Sequence, residues 1–202
     1  MNPLRFWPIA IFVCLVCSTA GCDRLGADRP LPPIEIYFSP RGGCTEAVVE
    51  EIDRAAEGIL VQAYSFTSAP IAKALADAQG RGVAVEVILD ESQETEKYSS
   101  GDFLLHAGIR TLVDGRHAIA HNKVMILDGR SVITGSFNFT KSAEESNAEN
   151  LLVIPDAAIA GQYAANWHAH AQHSETYQRK PASDRGDARP APAKKSKAGA
   201  GR

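Results

Sequence analysis

The chain has 202 residues, 45% of them hydrophobic, with 21 Lys+Arg against 24 Asp+Glu. That length holds one ordinary domain with tails, and the apolar fraction excludes wholesale disorder. Four Cys are too few for a scaffold built on disulfides, and a net charge of −3 excludes a protein that coats nucleic acid through a broad basic face.

Residues 1–22, MNPLRFWPIAIFVCLVCSTAGC, place one charge, Arg5, before an apolar run and then small residues. That is the layout of a secretory signal. The run is shorter than the roughly 20 apolar residues a membrane span needs. The chain is therefore expected to be exported, to the periplasm or beyond. The ending Thr19-Ala20-Gly21-Cys22 resembles a bacterial lipobox, with Thr19 where Leu is usual. A lipid anchor on Cys22 and simple cleavage both fit. Pro30 and Pro32 mark residues 23–32 as a linker. Cys44 reads most simply as a free, packed thiol.

The domain spans residues 33–178. Ile34, Ile36 and Phe38 alternate with polar neighbours, which predicts a strand. Gly42-Gly43 breaks it, and Ala47, Val48, Glu51, Ile52 and Ala55 fit a helix. Residues 59–64 form a short apolar run, a buried strand. Ser68 and Pro70 suit a helix start, continued by Ile71, Leu75 and Ala78. Residues 83–89 are the next strand. This β-α-β-α-β order predicts an α/β fold, a mixed, largely parallel sheet with helices on both faces. Residues 90–102 are polar and acidic, a loop at the carboxyl end of a strand, where such folds bind ligands. Phe103, Leu104 and Leu105 predict a short helix, and residues 109–113 a strand. Residues 123–127 and 131–134 are two strands around Asp128-Gly129, a hairpin signal. Residues 151–154 are another strand. Asp156 caps a last helix with Ile159, Tyr163 and Trp167 on one face. Residues 179–202 carry eight Lys/Arg and two Asp, so a basic, disordered tail follows an acidic body of net charge −9. Phosphate recognition by that body has to be local.

The segment HNKVMILDGRSVITGSFNFT, residues 121–140, carries the chemistry. In an extended chain His121 and Lys123 share a face, as do Ser136 and Asn138 on the returning segment. A nucleophile or base, a cation and two neutral hydrogen-bonding groups can converge on one small anion, for which phosphate is the natural choice. Asp128 lies at the turn on the opposite parity, placed to hold structure.

His121, Lys123, Asp128, Gly135, Ser136 and Asn138 match in full the pattern HxK(x)4D(x)6GSxN, and here the chain resembles the phospholipase D superfamily. Six fixed residues at fixed spacing arise by chance on the order of 10⁻⁸ times per start position. Residues 64–67 and 135–141 are similar to those of the small, single-motif bacterial endonucleases of that family. The resemblance implies a phospholipase D-like α/β/α sandwich and a covalent phosphohistidine on His121. It implies that a second histidine protonates the leaving oxygen. It assigns to Glu149 the carboxylate that orients the nucleophilic ring, and to Lys123, Ser136 and Asn138 the binding of phosphate. Asp128 and Gly135 stay structural.

No metal or other cofactor is expected, because no Asp/Glu/His cluster of suitable spacing adjoins the motif. His168 and His170 point apart on a helix, and only His170 and His173 are neighbours, so these three read as a solvated helix end. Phe66, Phe137 and Phe139 either border the site or pack the core. The mechanism needs two HxK motifs and the chain has one, since neither His106 nor His117 has a Lys two residues on. A homodimer that brings two copies of His121 to one site meets that need. The expected substrate is nucleic acid, DNA or RNA. A phospholipid is the alternative, and an inactive envelope-attached binding module is a third reading.

Overall fold

The structure, a computed structural model, describes residues 33–179. The expected signal segment with Cys22, the linker at 23–32 and the basic tail beyond 179 lie outside the described residues. Eight strands form one sheet: β1 (Glu35–Ser39), β2 (Gly58–Ala63), β3 (Ala84–Asp90), β4 (Arg110–Asp114), β5 (Lys123–Leu127), β6 (Ser131–Gly135), β7 (Glu149–Ile154) and β8 (Glu175–Thr176). Their order across the sheet is β1-β7-β6-β5-β2-β3-β4-β8.

The sheet is mixed, as expected, but it is not largely parallel. Only β2–β3 and β3–β4 pair parallel; the other five pairings are antiparallel. Connection length explains the difference. A parallel pair needs a crossover of a dozen or more residues, and α2 (Ala69–Gly80) supplies one between β2 and β3. β5 and β6 are joined by a tight turn and have to run antiparallel. The first strand does not lie beside β2; it closes the far edge against β7.

Strand alternation sends one set of apolar side chains to each face. Val61, Val87, Met125, Ile133 and Val153 pack under α1 (Cys44–Arg54), α2, α3 (Gly101–His106) and α4 (Lys141–Glu145). Ile88, Leu112, Val124, Ile126 and Val132 pack under α5 (Ala157–Ala171). Asp156 caps α5 by accepting the N–H groups of Ala158 and Ile159 at 2.8 and 2.9 Å. Trp167 is buried on the sheet-facing stripe of α5 and its indole N–H donates to the Val61 carbonyl at 2.8 Å. Among the described residues α5 is the only helix on its face, and Ile34, Ile36 and Phe38, at and beside β1 on the sheet edge, are exposed.

The hairpin turn has positive φ at both Asp128 (51°) and Gly129 (62°), which the right-handed twist of a tight hairpin favours. Asp128 also ties the hairpin to the strand beside it. Its Oδ1 accepts the backbone N–H groups of Glu57 at 2.7 Å and Gly58 at 2.9 Å, and its Oδ2 accepts that of Ala56 at 3.0 Å. Burial raises the carboxyl pKa, but these N–H bonds and Arg130 outweigh it and hold the group below the usual carboxylate range. Cys44 is a free, buried thiol at the start of α1, pushed up to about 11 mainly by desolvation.

Candidate active site

β2, β3, β4 and β6 end, and β5 and β7 begin, at the same edge of the sheet. The register pairs Ala63 with Lys123 and Gly135 with Leu151. Continuing the β5–β6 register from Met125–Ile133 brings Lys123 level with Gly135. The two halves of the motif therefore meet at this edge, and the intervening turn with Asp128 sits at the other end.

Lys123 is 7% exposed, an unusual place for an ammonium group. Its Nζ donates to the His121 carbonyl at 2.8 Å and lies 3.1 Å from His121 Nδ1. It also sits over the Tyr64 ring, 4.9 Å from the centroid, where a cation–π attraction offsets part of the lost hydration. Desolvation pushes its pKa down from the ordinary 10.5, against the opposing pull of Glu149 and Asp90. His121 is exposed, and its ring packs against Tyr64 with centroids 4.5 Å apart. Tyr64 is thus a site residue to which the motif gave no role; the available signal was the likeness of residues 64–67 to the family's small endonucleases.

The second half of the motif is gripped by Asn150. The Asn150 carbonyl accepts the N–H groups of Ser136 at 3.1 Å and Phe137 at 3.2 Å. In return the Ser136 hydroxyl accepts the Asn150 backbone N–H at 3.0 Å and its side-chain amide at 3.4 Å. Gly135 makes this approach possible: it has φ of 147°, and a Cβ there would fall 2.3 Å from the Asn150 carbonyl oxygen. Asn138 Oδ1 is buried with no hydrogen-bond partner among the described residues. An amide oxygen only accepts, so a phosphate would be met by the Asn138 side-chain N–H groups rather than by this atom.

In the chain as it stands Glu149 and His121 each face another partner. The Glu149 carboxylate accepts from the Asn147 amide at 3.2 Å, and the His121 Nδ1 faces Lys123. Phe66, Phe137 and Phe139 are fully buried and belong to the core, with Phe66 and Phe139 packed edge to face. The acidic loop is more than a solvated segment. Asp90 accepts from Ser92 and, at 2.7 Å, from the Ala120 N–H just before His121. Gln93, buried, accepts the Phe66 N–H at 3.2 Å.

The expectation of a solvated histidine end holds for His168 alone. His170 and His173 turn inward onto Asp114, with the side chain of His117 beside them. Sequence reasoning missed this because Asp114 and His117 are more than 50 residues away along the chain. His170 does continue the stripe of Ile159, Tyr163 and Trp167, and that was the available signal.

Residues 48–170 match the family model described as cardiolipin synthase, PLD-like domain. The chain is 47% identical over 134 residues to a protein of Rickettsia bellii named phospholipase D, covering 66% of this chain and 67% of that one. It is 32% identical over 145 residues to a mitochondrial cardiolipin hydrolase of Xenopus laevis, covering 66% and 69%. The crystal structure of Nuc from Salmonella typhimurium, a phospholipase D family member, matches with a TM-score of 0.70 and 36% identity, over 72% of this chain and 98% of that chain. NucT from Helicobacter pylori shares the fold, with a TM-score of 0.67 at 24% identity. An eight-stranded mixed sheet, a complete HxK(x)4D(x)6GSxN motif folded to one edge and these likenesses agree: the chain belongs to the phospholipase D superfamily of phosphodiester hydrolases.

Proposed function

We propose that the protein is a metal-independent phosphodiesterase that cleaves nucleic acid through a phosphohistidine on His121. The observation that carries the reading is an exposed imidazole held beside a buried ammonium at the sheet edge where the motif closes. The ring nitrogen attacks phosphorus, and the bond to the leaving oxygen breaks. The partner subunit's His121 gives that oxygen its proton. Water then attacks the phosphohistidine, loses a proton to the same partner ring, and frees His121. Lys123 offsets charge on the five-coordinate phosphorus, with hydrogen bonds from Ser136 and Asn138. When a phosphate draws the Lys123 ammonium, the His121 Nδ1 is released, and Glu149 is the nearby carboxylate available to steady the cation.

A homodimer follows from the single HxK per chain. The exposed edge supports it: Phe38 is 66% exposed, in line with Ile34 and Ile36. Tyr64, partly exposed beside His121, offers a ring on which a base can stack. The second reading, hydrolysis of a phospholipid headgroup, is favoured by the name of the 47%-identical Rickettsia relative. The chemistry is shared and the substrate differs. Incubating the purified protein in EDTA with plasmid DNA and, separately, with phosphatidylcholine vesicles separates them. Nicked plasmid supports the nuclease reading; choline release without nicking replaces it with the lipase reading.

The rate should also carry the mark of Lys123. Its protonated form does the work, and its pKa is lowered, so activity falls as pH rises through that depressed value. The alkaline limb of kcat/KM is expected below 10.5, the ordinary lysine value. A profile flat to that pH would remove Lys123 from the charge-stabilising role.

A further inference from the structure

Three ring nitrogens meet one carboxylate oxygen at the end of β4. Asp114 Oδ2 lies 2.7 Å from His170 Nδ1, 2.9 Å from His117 Nδ1 and 3.3 Å from His173 Nε2. The four residues come as two pairs three apart, Asp114 with His117 after β4 and His170 with His173 at the end of α5. Their ligand atoms all lie within 4.8 Å of one another. The Asp114 side chain is fully buried, those of His170 and His173 are 16% and 20% exposed, and that of His117 is 47% open to solvent.

Hydrogen bonding alone does not satisfy this cluster. A carboxylate oxygen offers about two lone pairs, and His117 and His170 take those of Oδ2. The Oδ1 already accepts the Arg116 N–H at 3.1 Å. His173 Nε2 is buried and makes no hydrogen bond among the described residues. A cation among the four atoms would satisfy all of them at once. Three imidazole nitrogens and one carboxylate oxygen form a donor set suited to zinc. Tetrahedral Zn²⁺, at about 2.0–2.1 Å from each ligand, sets those ligands roughly 3.3–3.4 Å apart. The O–N separations here, 2.7 to 3.3 Å, reach that spacing with small side-chain rotations.

We propose that Asp114, His117, His170 and His173 bind one divalent cation of the zinc class at a site separate from the phosphodiesterase centre. β4 lies three strands from β5, roughly 14 Å across the sheet, so the cation does not touch a phosphate at His121. It fastens the end of α5 to β4 and to the start of the segment that leads to His121. The half-exposed His117 ring gives it a way in.

The test uses Zn²⁺ itself on the full chain, first stripped with EDTA and exchanged into chelator-free buffer. Calorimetric titration and metal analysis after gel filtration should give one Zn²⁺ per chain. Zn²⁺ at hundredfold excess over Kd should raise the midpoint of thermal unfolding by about 5–10 °C. His117→Gln, at a position open enough for the fold to tolerate it, should weaken binding more than about tenfold. His168→Gln, two residues before His170 but exposed and outside the four ligands, should leave it unchanged. Retention of no Zn²⁺ by the wild-type chain, or equal affinity in wild type and His117→Gln, overturns the proposal. Because the readout is metal content and unfolding, failure here leaves the nuclease reading untouched, and the reverse also holds.

Discussion

His121→Ala should abolish phosphodiester cleavage, with kcat/KM falling on the order of 10⁴-fold or more. The substitution removes the atom that bonds to phosphorus, and no neighbouring group replaces it. The two neighbours of His121, the Lys123 side chain and the Tyr64 ring, offer no second imidazole. The imidazole is exposed and its ring contact is with Tyr64, so the variant should unfold close to the wild-type midpoint. Quenching the wild-type reaction in alkali should trap a chain joined through phosphorus to one end of the cut nucleic acid, and His121→Ala should trap none. Mixing the two proteins then tests the shared site. After random reassortment at equal amounts, about one quarter of the dimers keep both rings. Total activity should follow the square of the wild-type fraction; a linear dependence would mean that each chain works alone.

Gly135→Ala should lose about 3 kcal/mol or more of stability, read from the denaturant midpoint. Two penalties coincide there. The backbone has φ of 147°, a region open essentially to glycine, and the new methyl carbon would sit 2.3 Å from the Asn150 carbonyl oxygen. That oxygen cannot retreat without releasing the N–H groups of Ser136 and Phe137. Gly129→Ala is the control. Its φ is also positive, 62°, but nothing lies within 4 Å of the added carbon, so the cost is about 1–2 kcal/mol. Equal stabilities of the two variants would show that the Asn150 approach imposes no constraint.

Most elements were legible in the sequence because each has a clear period and clear punctuation. The apolar runs at 59–64 and 83–89, the Asp128-Gly129 turn and the Asp156 cap are local signals, and strands and helices formed close to where they point. What was not legible is pairing across distance. Nothing in residues 35–39 says that this strand closes the far edge against β7. The two-residue β8 and the five-residue α4 are too short to show a period. At the site, the motif named His121, Lys123, Ser136 and Asn138, but Asn150 and Tyr64 act through contacts that no spacing rule encodes. The role of Glu149 came from resemblance, and in the folded chain its carboxylate turns to Asn147. The Asp114 cluster needed two segments to be seen side by side.

The turn at Asp128 works as a ruler. Lys123 leaves the sheet edge and Gly135 returns to it on opposite strands, so the residues between them measure out the reacting geometry. One residue inserted between Leu127 and Ser131 would slip the return by a single step and send every side chain of β6 to the wrong face. The anchoring of Asp128 to the N–H groups of residues 56–58 resists that slip from the end farthest from the chemistry. Insertions are tolerated at most surface loops; here a single added residue would misplace Ser136 and Asn138 while leaving every catalytic side chain present in the sequence.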